Sequence, residues 1–342
     1  MIKFILPFVL TFILTVLLIF VIKFFTSKFK IDQRKSKRHI HRKNILRFGG
    51  VAMILAFNLA IIFNSDLVLT VPLFGAMLAS VIILIVGVWD DLREIFWKTQ
   101  LFYQVAVAII IFIFGVRIYY VTNPLNGGVI NIDTGFMIIF SIMLVIFWVV
   151  LMINSMNWLD GIDGLSGGVT LIGAITIFCL SLYPDVNQPP VAILAMILAG
   201  SALGFLIFNF YPSMILAGTS GSMFMGFALA FLAIFAGTKI ATALLVMALP
   251  MVDFIWVIGE RIKNKKAIFT PDSNHLHHKL MKIGWSQRKI ALYYYILTAI
   301  IASIALNTRI IGKSLTLIIT AIIMVSALII INKKLNSIST EK

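Results

Sequence analysis

Three pieces decide the fold: IIFSIMLVIFWVVLMI (138–153), NSMNWLDGIDGLSGG (154–168) and VTLIGAITIFCLSL (169–182). Two apolar runs flank a stretch with two asparagines, two aspartates and four glycines. A helix that crosses a bilayer needs about 20 mostly apolar residues. The flanking runs approach that length, so the middle piece reads as a polar loop at a membrane surface.

The rest of the chain has the same character. It is 61% hydrophobic and 12% charged, with mean hydropathy +1.06. Soluble domains are about 25% charged, so the composition excludes an ordinary soluble domain. The single cysteine, Cys179, excludes a disulfide framework. The first apolar run is too long for a secretory leader and is followed by no small-residue cleavage site, so it reads as a retained span. Eleven candidate spans follow: 4–25, 48–64, 67–88, 100–120, 135–153, 167–183, 191–209, 221–236, 239–258, 290–306 and 313–331. The expected fold class is an all-α, polytopic membrane helix bundle, one domain over 1–342. Its cytoplasmic loops would be 26–47, 89–99, 154–166, 210–220 and 259–289.

Orientation follows from the basic residues. With eleven spans, 22 of the 28 Lys and Arg fall on one side, which the positive-inside tendency assigns to the cytoplasm. The N-terminus is then outside. The net charge of +15 is mainly a topology signal and an attraction to anionic lipid headgroups, not a nucleic-acid footprint. Most of the acids gather on the same face, at or near the ends of separate spans. Ionisable groups beside apolar spans mark function by default. Secondary transporters place theirs near the bilayer midplane, which argues against transport.

Four polar constellations lie on that face. Adjacent Asp90 and Asp91 close span three, and a helical turn would put Asp90 and Glu94 on one face. In 154–168, Asn154, Asn157, Asp160 and Asp163 recur every three residues, as a polar stripe at the base of span five. The glycines after them would free backbone amides at the start of span six, where an anion can bind. GTSGS, 218–222, leads span eight as a second amide nest. In the loop after span nine, Asp253, Glu260 and Arg261 share a helical face. Pro271 and Gly284 bracket a helix on which Asp272, His275 and His278 would align. Three histidines within four residues raise zinc, but no cysteine or HExxH spacing accompanies them. His39 and His41 sit in the basic loop and read as headgroup contacts. Carboxylates, amide nests and basic groups at a lipid surface point to phosphoryl transfer.

Asp90–Asp91, NxxNxxDGIDGLSGG, FNFYPS with GxxGSMFMGF, PMVD and PDSNHLHHKL resemble, in order, the motifs of the polyprenyl-phosphate N-acetylhexosamine-1-phosphate transferases. That family includes undecaprenyl-phosphate GlcNAc-1-phosphate transferases and the phospho-MurNAc-pentapeptide transferase; the HxHH spacing resembles the former. The resemblance implies that undecaprenyl phosphate and a UDP-N-acetylhexosamine react at the cytoplasmic side of the inner membrane, with Mg²⁺ or alternatively Mn²⁺. The products would be UMP and a lipid-linked sugar that starts a cell-envelope polysaccharide. It implies catalytic roles for Asp90 or Asp91 as base, Asp163 and His275. Asn157, Asp160, Asn209, Arg261, His277 and His278 would bind substrate. Asp90, Asp91, Asp160, Asp163 and Thr219 would form the metal region. UDP-MurNAc-pentapeptide is the alternative donor, and a homodimer is an assembly to test. One departure stands out: the family carries Asp in GDxGS where this chain has Thr219. Either the metal rests on the remaining acids, or the chain is an inactive lipid or nucleotide binder.

Overall fold

A computed structural model describes residues 1–28, 45–122, 128–237, 240–267 and 274–340. Residues 29–44 of the basic loop 26–47, including His39 and His41, lie outside the described residues, as do Pro271 and Asp272. Among the described residues the chain forms thirteen α-helices and one two-stranded hairpin. The helices are α1 Ile2–Lys28, α2 Gly49–Ile62, α3 Val71–Leu92, α4 Trp97–Ile113, α5 Ile138–Leu159, α6 Leu165–Ser181 and α7 Pro189–Asn209. Then come α8 Gly218–Phe235, α9 Ile240–Val246, α10 Ala248–Lys263, α11 Leu276–Lys282, α12 Gln287–Asn307 and α13 Ile310–Thr340. The all-α membrane bundle expected from the sequence is therefore present.

Each of the eleven apolar segments falls on a helix, but eleven crossings do not follow. Seven helices are long and apolar enough to span, or eight if α9 and α10 count as one bent span. Three others, α2, α4 and α6, are shorter, at 14, 17 and 17 residues. The segment 239–258 is not one straight rod: α9 and α10 meet at 74°. Pro250 accounts for the break, because it lacks an N–H and its ring crowds the carbonyl four residues back, at Val246. The segment 100–120 also ends early. Gly115 at φ +94° follows the end of α4, and Tyr120–Thr122 pairs antiparallel with Val129–Asn131.

The interior is built around α8, whose span is 89% buried; α1 and α13 lie at the edge, with 22% and 17%. Membrane helices gain little by hiding apolar surface from equally apolar lipid, so close packing of small residues holds them. Gly87 of α3 meets the backbone of Ser220, and Gly50 of α2 meets Gly221, with no room for a methyl group at either contact. The segment before α2 runs beside the approach to α8: Leu216 N–H donates to Leu46 O at 2.7 Å and Gly50 N–H to Ala217 O at 2.9 Å. These contacts bring the end of α3 and the start of α8 together.

A side chain at Gly87 would force α3 from α8. Gly87→Val should cost about 1–3 kcal/mol, the usual scale of overpacking. A lowered midpoint in thermal unfolding of the detergent-solubilised protein checks this; an unchanged midpoint would contradict the contact.

Candidate active site

The site is built where α3 ends and α8 begins. Asp90 and Asp91 lie in the last turn of α3, both buried. Gly218 takes φ +71°, a left-handed conformation that suits glycine, and opens α8 with its first amides free of intrahelical partners. Asp91 fills that position. Thr219 N–H donates to Asp91 Oδ1 at 3.0 Å and to Oδ2 at 2.9 Å. A carboxylate at a helix N-terminus is favoured by unpaired amides and by the helix dipole. Arg47 Nε lies 3.8 Å from Asp91 Oδ1 and adds a positive neighbour. The amide nest expected at 218–222 is thus occupied by the chain's own carboxylate.

Asp90 is held differently. Thr219 Oγ1 donates to its Oδ2 at 2.6 Å, while Ile95 N–H and Gln100 Nε2 donate to its Oδ1, each at 2.9 Å. Glu94 does not share a helical face with it, because α3 stops at Leu92 and Arg93 is extended. The first half of the predicted polar stripe is helical. Asn157 Oδ1 accepts from Ser222 Oγ at 2.8 Å, tying α5 to α8. Asn154 Nδ2 donates to Gln104 Oε1 at 2.6 Å.

The second half departs from expectation. α5 ends at Leu159, so Asp160 and Asp163 do not align on a helix. Asp160 accepts from Ser166 Oγ at the start of α6. Asp163 turns the other way: its Oδ2 accepts from Ser213 N–H at 3.0 Å, and its N–H donates to Gln287 Oε1 at 3.1 Å. Asn209 Oδ1 accepts from Gly164 N–H at 2.9 Å and its Nδ2 donates to Ile215 O at 2.9 Å, fixing the loop between α5 and α6 against the end of α7.

The histidines lie on α11 and at its N-terminal edge, held there by α10. His275 is the residue before α11, not part of its face, and its Nδ1 lies 2.9 Å from Asp253 Oδ2. Leu276 N–H donates to the other oxygen of Asp253 at 2.8 Å. Trp158 joins this wall to α5: its ring centroid is 5.0 Å from that of His275 and 4.7 Å from the Arg261 guanidinium carbon. His277 is fully buried against the backbone of Gly161, and neither ring nitrogen has a partner among the described residues. Burial, with His278 and His275 beside it, pushes its basicity well below the usual histidine value, so the ring stays neutral. His278 packs its ring 4.2 Å from that of His277.

The structure therefore brings Asp90, Asp91 and Thr219 into one cluster, with Asn157 one hydrogen bond away through Ser222. Asp160, Asp163 and Asn209 line the neighbouring loop. Arg261 and the histidines form a third wall, linked through Trp158 and Gly161. Among the described residues, no group of three or more His, Cys, Asp or Glu is close enough to hold an ion. The five predicted metal ligands are not gathered into one shell. A smaller set does fit Mg²⁺. Asp90 Oδ2 and Thr219 Oγ1 are adjacent hard donors, and this ion commonly takes one or two protein oxygens and completes its shell with phosphate and water.

Gln100, Gln104 and Gln287 lie outside the motifs read from the sequence, and Trp158, Ser213 and Ser222 lie within them without a role of their own. Gln100 and Gln104 had a readable signal: they are four residues apart in a mostly apolar helix, and each reaches a polar residue singled out from the sequence.

His277 generates a signed pH dependence. Below about 6.5, the unfolded chain binds a proton that the folded, neutral ring refuses, so stability falls as pH drops. Above that value the ring is neutral in both states and contributes no slope. Thermal midpoints measured from pH 7.5 down to 5.5 should fall, and His277→Asn should flatten the decline. An equally steep decline in the variant would count against this origin.

Comparisons with known proteins identify the family. The model of glycosyl transferase family 4 matches residues 73–237. A probable undecaprenyl-phosphate N-acetylglucosaminyl 1-phosphate transferase of Bacillus subtilis is 29% identical over 311 residues, covering 89% of this chain and 85% of that protein. A decaprenyl-phosphate N-acetylglucosaminephosphotransferase of Mycobacterium leprae is 33% identical over 303 residues, covering 80% and 75%. A phospho-N-acetylmuramoyl-pentapeptide-transferase of Sulfurimonas denitrificans is 28% identical over 313 residues, covering 81% and 84%. The chain belongs to glycosyl transferase family 4, among the polyprenyl-phosphate N-acetylhexosamine-1-phosphate transferases, and is a membrane-embedded sugar-phosphate transferase.

Proposed function

We propose that this enzyme transfers N-acetylglucosamine 1-phosphate from UDP-N-acetylglucosamine to undecaprenyl phosphate and releases UMP. The reaction runs at the cytoplasmic face of the inner membrane, with the N-terminus outside. The names of the Bacillus and Mycobacterium relatives support the sugar and the polyprenyl acceptor. The observation that carries the reading is the junction of α3 and α8, where Asp90 and Thr219 put two oxygen donors side by side at the end of a span. A lipid phosphate and a soluble nucleotide can meet there.

Phosphoryl transfer asks the protein mainly for positioning and charge stabilisation. Asp90 takes the proton from the lipid phosphate. The freed oxygen attacks the sugar-linked phosphorus, and the bond to UMP breaks on the opposite side. Asp90 and Thr219 would hold Mg²⁺, which when bound spreads the negative charge of the diphosphate. Arg261 and His278 face the same charge from the third wall. Asn157, Asp160 and Asp163 line the nucleotide, and Asn209 holds the loop of the two aspartates in place. Asp91 anchors α8 so that Thr219 stays beside Asp90.

Membranes supplied with undecaprenyl phosphate and Mg²⁺ should release UMP from UDP-N-acetylglucosamine faster than from UDP-N-acetylgalactosamine or UDP-MurNAc-pentapeptide. Release from none of the three, or preference for the pentapeptide, would refute the assignment. Asp90→Asn should lower kcat by about 10²–10⁴-fold, the usual range for loss of a general base. Thr219→Asp adds a carboxylate and should lower the Mg²⁺ concentration for half-maximal rate about tenfold, roughly 1.4 kcal/mol of binding. An unchanged Mg²⁺ response would remove Thr219 from the metal region.

A further inference from the structure

Glu260 lies one side chain away from the histidine wall, and the reaction gives it no part. It sits in the last turn of α10, two helical turns beyond Asp253. Its Oε1 accepts from Asn332 Nδ2 of α13 at 2.7 Å, from Trp256 Nε1 at 2.9 Å and from Lys279 Nζ of α11 at 3.2 Å. Its Oε2 lies 3.1 Å from the same ammonium. One carboxylate therefore joins three helices.

The helix it holds needs holding. α11 has only seven residues, too few for a stable helix on its own. Its start is fixed to α10 by Asp253, through Leu276 N–H and His275. Its next turn is fixed to α10 by Glu260, through Lys279. Lys279 is buried, at 4% exposure, so its charge requires a paired acceptor. His277 and His278 lie between these two attachments. The third arm reaches α13, an edge helix that is separated from α10 along part of its length by a largely apolar groove of about 750 Å³. Glu260 and Asn332 both line that groove, and their hydrogen bond bridges it.

We infer that Glu260 is a positioning residue: with Lys279 and Asn332 it fixes the histidine-bearing α11 and makes the last helix, α13, a support of the active site. It acts through α11 and touches no reacting atom. The inference of a catalytic effect rests on the proposed transfer reaction; the structural link does not.

Two measurements on the full-length, detergent-solubilised enzyme test it. The first is amide hydrogen exchange over Leu276–Lys282 in Glu260→Gln, Asn332→Ala and the double variant Glu260→Gln/Lys279→Met. Lys263→Ala, an exposed change on the same helix, is the control. Exchange should quicken in Glu260→Gln and Asn332→Ala but not in the control. The double variant, which leaves no unpaired buried charge, should exchange no faster than Glu260→Gln. The second is steady-state kinetics. KM for the sugar nucleotide should rise roughly tenfold in Glu260→Gln, the scale on which loss of a supporting partner is felt. It should rise less in Asn332→Ala, with kcat changed less than KM in both. Unchanged exchange over α11 in Glu260→Gln and Asn332→Ala would overturn the inference. So would unchanged KM with activity lost only in proportion to folded protein. If the wild-type enzyme releases no UMP from any donor, the proposed reaction fails, while the exchange experiment still decides the clamp.

Discussion

The bidentate contact of Asp91 with the Thr219 amide, in the first turn of α8, is the constraint on which the site depends. A helix begins with amides that no residue of its own can satisfy. In a chain with this little polar surface, an acceptor buried nearby becomes a strong organiser. Asp91 supplies it across 128 residues of sequence and draws the end of α3 to the start of α8. Thr219, the residue so captured, then has its hydroxyl against Asp90. Two adjacent carboxylates thereby acquire separate tasks: one secures the backbone, and the other faces chemistry with Thr219 as neighbour.

Around this junction the other elements attach by short polar links through an apolar interior. Ser222 connects α8 to Asn157, Gln104 connects α4 to Asn154, and Asn209 connects α7 to the loop after α5. In a medium without competing water, a buried polar group left without a protein partner is costly, and His277 stands apart from these paired groups. The pairings are specific because few alternatives exist. Between them the helices touch through glycine and serine, so the polar links and the backbone contacts set the same geometry.

Much of this was legible in the sequence. The apolar runs, the position of DGIDGL between two of them, and the order of the motifs gave the bundle and the elements that meet at the site. Helix ends were not legible. Spacing placed Asp160 and Asp163 on one face, yet α5 stops before both, and each then follows its own partner, Ser166 or the distant amide of Ser213. Spacing also placed His275 on a helix with His278. It lies just outside, because Asp253 binds its ring and the first amide of α11 together. The partners at such ends, donors or acceptors, are not revealed by a periodic pattern. The break at Val246–Ala248 was readable from Pro250, although the apolar run through it looked continuous.

The seat of α11 has a consequence for how the histidine wall moves. Asp253 and Glu260 stand about two turns apart on α10 and hold the start and the next turn of α11. A shift or rotation of α10 therefore carries His275, His277 and His278 with it, and Arg261, on the same helix, moves in step. The imidazoles and the guanidinium of that wall then behave as a single mechanical part, whose approach to the junction of α3 and α8 is governed by one helix.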